Sequence, residues 1–273
     1  MTSATRRART NRAAVCAFDA WDEIIARLRG TPRRAIFLDF DGTLVKIQRS
    51  PRVVRSSARV NRVLERLERN PNLAVAIVSG RRARDLRRLL PVRGLRYYGL
   101  HGGERDGRQI KLSKANQLAL ASAKREMEKQ SAGLRGIWVE DKEFSFCVHY
   151  RNADEVTGRA AGRILKKVLA PWRKTLHVVS GKKIWEVLPP EVPGKFAAVQ
   201  GALAKMPRGA AAVYIGDDET DEGVFAVLKN QVTVRVGNAD GTVARYFLPA
   251  PADVLRFLSR LERELRPDRP GSR

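Results

Sequence analysis

Ala35-Ile36-Phe37-Leu38-Asp39-Phe40-Asp41-Gly42-Thr43 decides the fold of this chain. Four apolar residues in a row read as a buried strand of a parallel sheet, and Gly42 reads as the turn that ends it. Asp39 and Asp41, spaced i, i+2, then emerge together where the strand ends, the usual ligand site of an open α/β sheet. Two carboxylates crowded in this way are costly unless a cation or a shared proton offsets them. A bound divalent metal, with one Asp left to attack phosphorus, is the simplest solution.

Outward from this stretch the pattern is βαβαβ. Phe18, Trp21, Ile25 and Leu28 recur at helical spacing, which predicts an amphipathic helix over 13–29 that ends at Gly30-Thr31-Pro32. A linker through Pro51 leads to a helix from Ser57 to Arg69, a buried strand Leu73–Val78, a helix carrying Leu86, Leu89 and Leu90, and a strand from Leu95 to Gly99. This is the signature of a doubly wound, Rossmann-like parallel sheet. From Gly102 the pattern changes. About 115 residues separate Ser79 from Lys195, where a bare βαβ unit needs about 30. Within that span Phe144, Phe146, Val148 and Tyr150 alternate with Ser145, Cys147, His149 and Arg151, which predicts a half-exposed antiparallel strand. A hairpin is expected from Thr175–Val179 and Lys183–Leu188, and helices over 115–130 and 155–169. Residues 104–190 therefore read as an α+β cap inserted into a core of 13–103 and 191–265, with a disordered basic tail over 1–12 and another tail over 266–273. Beyond the cap the core resumes with a helix from Lys195, buried strands Ala211–Ile215 and Val232–Val236, and a last helix carrying Val254, Leu255, Leu258 and Leu261.

Composition narrows the function. No apolar run approaches the ~18 residues of a membrane span. Cys16 and Cys147 lie far apart and match no metal spacing, so free thiols in a reducing cytoplasm are expected. The 53 Lys+Arg against 29 Asp+Glu give a net charge of +24. Such a surface attracts polyphosphate, yet the arginines are dispersed along helices, as in Arg59-Arg62-Arg66-Arg69, and no aromatic-studded basic segment offers bases a stacking platform. The sequence therefore argues against nucleic acid as the main partner and for an anionic small substrate.

Three further motifs stand at the ends of core strands or the starts of helices. Asp39 suits a nucleophile that takes a phosphoryl group. Asp41 can protonate the leaving alkoxide and later deprotonate water, with Thr43 in reach to orient it. The other reading of these aspartates is a turn whose side chains bind their own backbone amides. Ser79, before Gly80-Arg81, can hold a phosphoryl oxygen or simply cap a helix. Lys195, after Pro193-Gly194, sits at a helix start, where the dipole disfavours a cation unless an anion faces it. Asp217-Asp218-Glu219-Thr220-Asp221-Glu222 is the one dense acidic run. Mg²⁺ keeps waters and needs few carboxylates, so Asp39, the main-chain oxygen of Asp41 and Asp217 make a suitable set, with Asp218 or Asp221 behind them.

With these four elements in place, the chain resembles the haloacid dehalogenase superfamily of phosphotransferases, and its insertion is similar to the cap of the sugar-phosphatase branch. Within that branch it resembles the trehalose-6-phosphate phosphatase family, through Leu38-Asp39-Phe40-Asp41-Gly42-Thr43-Leu44, Ser79-Gly80-Arg81, Gly99-Leu100-His101-Gly102-Gly103-Glu104 and Glu140-Asp141-Lys142. His149-Tyr150-Arg151, Gly181-Lys182-Lys183-Ile184-Trp185-Glu186-Val187 and the acidic run continue the likeness. The resemblance implies Mg²⁺-dependent hydrolysis of trehalose 6-phosphate through an aspartyl-phosphate. It implies Asp39, Asp41, Ser79 and Lys195 as catalytic residues, and Asp39, Asp41, Asp217 and Asp218 around the metal. It places Arg81, His101, Gly102, Glu104, Lys142, Arg151, Lys183 and Glu186 against the substrate, and suggests a trehalose-6-phosphate synthase as partner. A sucrose or glucosylglycerate phosphate is the alternative substrate, and a basic nucleic-acid-associated module without catalysis the alternative class. The chain departs from the family at Phe196, where a Gly commonly follows the Lys.

Overall fold

The computed structural model describes residues 13–48, 56–105 and 108–267. The expected tail over 1–12, the linker around Pro51 and the end from 268 lie outside the described residues. In the core, β1 (Val15–Cys16) and α1 (Trp21–Arg29) precede β2 (Arg34–Leu38), followed by α2 (Ala58–Glu68), β3 (Leu73–Val78), α3 (Ala83–Leu89) and β4 (Arg96–Gly99). Two short strands, β5 (Glu104–Arg105) and β6 (Arg108–Gln109), come next. The cap contains α4 (Lys114–Ser131), β7 (Trp138–Asp141), β8 (Phe146–His149), α5 (Glu155–Leu169), β9 (His177–Gly181) and β10 (Ile184–Leu188). The core resumes with α6 (Gly194–Leu203), β11 (Ala211–Gly216), α7 (Glu219–Val227), β12 (Val232–Val236), β13 (Tyr246–Leu248) and α8 (Pro251–Glu264).

The core sheet runs β1-β13-β12-β11-β2-β3-β4-β5-β6, parallel from β1 to β4. From β2 the chain moves outward through β3 and β4, then returns on the other side through β11. The carboxyl ends of β2 and β11 therefore flank the crevice where the winding reverses, the ligand position of such sheets. Alternation along β2 supplies both layers. Ile36 and Leu38 pack with Leu64 of α2 and Phe257 of α8, while Ala35 and Phe37 pack with Val199 of α6 and Phe225 of α7. The expected doubly wound α/β fold with an inserted cap is what the structure contains.

Four expectations are corrected. Val15 and Cys16 pair in parallel with Tyr246 and Phe247, so the first helix begins only at Trp21. Edge pairing on β13 wins in a segment whose first periodic residue, Phe18, already lies in the turn after β1. The cap does not begin at 104, because β5 pairs antiparallel with β4 and β6 with β5, which extends the core sheet to Gln109. Finally, β8 is not half exposed: Phe146, Cys147 and Val148 are all buried. It is an inner strand of the cap sheet β7-β8-β10-β9, with α4 and α5 over one face and the cleft side chains over the other. At the far end, Arg266 is not part of a loose tail: its guanidinium donates to both Glu262 carboxylate oxygens, at 2.7 and 3.1 Å.

Candidate active site

Asp39, directly beyond β2, and Asp217, directly beyond β11, lie on neighbouring strand ends, and Asp39, Asp217 and Asp221 bring carboxylate oxygens within 4.8 Å of one another. Gly42 makes this approach possible. Its φ is +89°, and a Cβ there would sit 2.0 Å from Asp217 Oδ2. Lys195, in the first turn of α6, supplies the counter-charge: its buried Nζ donates to Asp39 Oδ1 at 2.7 Å and Asp221 Oδ1 at 2.9 Å. A cation at a helix start is thus met by the two anions the sequence required.

The electrostatics separate Asp39 from Asp221. Burial pushes the Asp39 carboxyl well above its ordinary range; Lys195 pulls against it, while Asp221 and Asp217 add to it. Asp221 is buried as well, but Lys195, Tyr214 and backbone donors outweigh that cost and hold it low. Its Oδ1 accepts from Lys195 and from Tyr214 Oη at 2.6 Å, and its Oδ2 from the Asp217 and Asp218 amides, both at 2.9 Å. Asp221 therefore has no oxygen to spare and positions Lys195. Asp218 is also committed, since its Oδ1 accepts from the Glu219 amide and caps α7. Of the acidic run, Asp217 is the carboxylate that stands beside Asp39 at the neighbouring strand end, its oxygens facing Thr43 and Lys182. A dense negative pocket with one glycine-made close approach fits a divalent cation.

Asp41 forms a bidentate pair with Arg81, Nε to Oδ2 at 2.5 Å and Nη2 to Oδ1 at 2.7 Å. Thr43 does not orient Asp41; its hydroxyl donates to Asp217 Oδ1 at 3.2 Å. Ser79 is buried at the end of β3, and its Oγ accepts from the Arg81 amide at 3.2 Å. Phe196 is 44% exposed and does not line the cleft, so it leaves the Lys195 ammonium undisturbed.

The cap closes over these groups to leave a cleft of about 440 Å³. Cross-strand pairing sets its roof. Glu140, Cys147 and Glu186 are register partners in one row, and Trp138, His149 and Ile184 in the next. Glu186 is buried and accepts from Ser145 Oγ at 2.6 Å, Lys142 Nζ at 3.3 Å and His101 Nε2 at 2.7 Å. Burial alone would raise its carboxyl; His101, Lys142 and Ser145 together hold it far below the usual carboxylate range. Arg151 braces the roof, donating to the carbonyl oxygens of Gln48 at 2.9 Å and Lys182 at 2.8 Å.

Three residues expected against substrate stand elsewhere. Glu104 turns away from the cleft to accept from the Ala83 amide at the start of α3 and from Gln109 Nε2 at 2.9 Å. Gly102, with φ +93°, lets the hinge approach α6; a Cβ there would meet that of Ala198 at 2.7 Å. Lys183 sits over the Tyr150 ring, 5.7 Å from its centroid, outside the cleft. Its neighbour Lys182 takes the expected place, with Nζ 2.5 Å from Asp217 Oδ2. Sequence reasoning also missed Trp138, which lines the cleft 40% exposed and stacks on His149 at 3.7 Å and 2°. The available signal was its spacing, two residues before Glu140 on one strand face.

Comparison with known proteins follows this geometry. The Trehalose-phosphatase family model matches residues 37–250, most of the chain and every motif described above. This chain belongs to the trehalose-phosphatase family. It is 33% identical over 249 residues to a trehalose-phosphate phosphatase of Mycobacterium ulcerans, covering 86% of this chain and 63% of that protein. Trehalose-phosphate phosphatase B of Arabidopsis thaliana is 30% identical over 267 residues, covering 90% and 70%. The chain thus spans less than two thirds of the mycobacterial relative's length. The C-terminal domain of a Candida albicans trehalose-6-phosphate phosphatase superposes with a TM-score of 0.79 at 23% identity, covering 93% of this chain and 100% of that one, which shows the shared fold. Among the described residues no helix is long and apolar enough to cross a membrane.

Proposed function

We propose that this trehalose-phosphatase family member hydrolyses trehalose 6-phosphate to trehalose and phosphate. The observation that carries the reading is the Asp39–Lys195–Asp221 cluster at the strand ends, roofed by the Glu186–Lys142–His101 group. An Asp39 oxygen attacks phosphorus as the bond to the sugar oxygen breaks, and the departing alkoxide takes a proton from Asp41. Water then attacks the aspartyl-phosphate, gives its proton to Asp41, and releases phosphate with Asp39 restored. Substrate phosphate drawing the Arg81 guanidinium frees Asp41 for its proton transfers. Mg²⁺ is the proposed metal, held by Asp39, Asp217 and the Asp41 main-chain oxygen, and when bound it supplies positive charge against the phosphoryl oxygens. Lys195 and Ser79 hold phosphoryl oxygens, while Glu186, Lys142 and Lys182 accept and donate to sugar hydroxyls. Trp138 faces the distal ring.

The test is phosphate release from a panel of trehalose 6-phosphate, sucrose 6-phosphate, a glucosylglycerate phosphate and glucose 6-phosphate, with Mg²⁺ and after chelation. Preference for trehalose 6-phosphate and loss on chelation are expected; preference for another sugar would reassign the substrate. Free thiols at Cys16 and Cys147 support the cytoplasmic placement. A synthase belongs to the same reading, since a glycosyltransferase must supply a disaccharide phosphate, and co-elution of the two enzymes tests it.

A further inference from the structure

A second groove, of about 490 Å³, lies between α2 and α8 and shares no lining residue with the catalytic cleft. From α2 it takes Arg59, Arg62 and Arg66, at i, i+3 and i+7; from α8 it takes Arg256, Arg260 and Arg263, at i, i+4 and i+7. Each set therefore forms one row along a helix face, spanning about 10 Å. The two rows run in the same direction, because Asn70 just beyond α2 donates to the carbonyl oxygen of Leu265 just beyond α8, at 2.6 Å. Between the rows the groove is lined by Val63 and Leu255, by Ser259, whose hydroxyl is spent on the Leu255 carbonyl oxygen at 2.7 Å, and by the Phe18 ring beneath Arg256.

Among the described residues no carboxylate lines this groove. Among the described residues only Arg256 of the six forms an ion pair, with Asp253 at 3.0 Å. Arg256 also lies over the Phe18 ring at 5.0 Å and Arg260 over the Trp21 ring at 4.2 Å, which fixes two guanidiniums in place before any ligand arrives. Like charges repeated at one-turn spacing repel one another, so the arrangement is stabilised by an anion that matches it. Nucleic acid would answer the charge but finds no stacking surface, since Phe18 is covered by Arg256 and Trp21 is buried. A bare polyphosphate would leave Val63 and Leu255 unmet. A helix with carboxylates along both flanks and an apolar ridge between them meets both requirements.

We propose that this groove docks an acidic amphipathic helix of a partner protein, with Asp and Glu flanks on the two arginine rows and an apolar ridge on Val63 and Leu255. The test is fluorescence anisotropy on the full chain with a labelled synthetic helix of about 18 residues, a Leu ridge between two Glu rows. A scrambled peptide of the same composition and a duplex DNA of similar charge are the controls. The ordered peptide is expected to bind about tenfold more tightly than either control, and Arg62→Glu with Arg263→Glu to weaken it by about tenfold. The circular-dichroism melt should stay in place. Equal binding of the scrambled peptide, tighter binding of the DNA, or unchanged binding by the double variant each overturns the proposal. Should that variant misfold, Arg62→Gln with Arg263→Gln replaces it, with a loss of about threefold expected and no loss again overturning the proposal.

Discussion

His101 Nε2 on the core hinge lies 2.7 Å from Glu186 Oε2 in the middle of the cap sheet. Both side chains are buried, so the contact ties roof to floor within the cleft. His101 reaches it only because Leu100 and His101 take left-handed φ values of 48° and 52°, a conformation that non-glycine residues adopt at a cost. That strain is held by the surrounding contacts, above all by the hydrogen bond to Glu186 itself.

Glu186 should therefore make stability depend on acid. Its folded-state carboxyl titrates below the ordinary value of 4.5. Ionised Glu186 contributes its full stability above that ordinary value and loses it as pH falls toward the depressed one. Glu186→Gln should cost about 3 kcal/mol at neutral pH, and the gap to the unaltered protein should close at more acidic pH. Urea melts of both proteins across this range check it; a gap that stays constant would show that the carboxylate charge contributes nothing.

Asp39→Asn should lower turnover by about 10³-fold or more, because an amide oxygen cannot form the acyl phosphate. The fold should survive. Burial already disfavours the Asp39 charge, and Asp221 still pairs with Lys195. Phosphate-release assays beside a thermal melt separate the two effects, and near-normal turnover would reject Asp39 as nucleophile.

The floor of the cleft was legible in the sequence because each of its groups follows an apolar run or opens a helix, so position along the chain fixes position in space. Asp39, Ser79, Lys195 and Asp217 all stand at such junctions. The roof was harder to read. Glu104 and Glu186 are both acids near polar motifs, and only tertiary pairing turns one toward an α3 amide and the other into the cleft. Asp218 and Asp221 differ by one helical turn, and α7 capping rather than sequence order decides which supports Lys195. Burial of Cys147 escaped the alternation pattern because the cap sheet is covered on both faces.

Lys182 and Lys183 test the turn between β9 and β10, where the sequence pointed to Lys183 alone. Lys183 has φ 64°, so the chain reverses there and the two ammonium groups diverge, one onto Asp217 and the other onto the Tyr150 ring. Lys182→Ala should lower kcat/KM for the sugar phosphate by about tenfold, while Lys183→Ala should stay within about twofold. Steady-state kinetics of both variants decide between them; an equal loss would mean that the turn places neither lysine selectively.

Trp138 lines the cleft from the cap. It stands on β7, three strand intervals, or about 14 Å, from β9, where the hairpin meets Asp217. That span suits a second sugar ring beyond a phosphate held at Asp39, and an indole stacked on His149 offers that ring a flat, rigid face. Trp138→Ala should raise KM for a disaccharide phosphate about fivefold, for a loss near 1 kcal/mol, with kcat little changed, and Trp138→Phe should restore most of it. A small aryl phosphate, too short to reach β7, should be turned over equally by all three proteins. If the variants lose ground on both substrates alike, Trp138 supports the cap rather than the sugar.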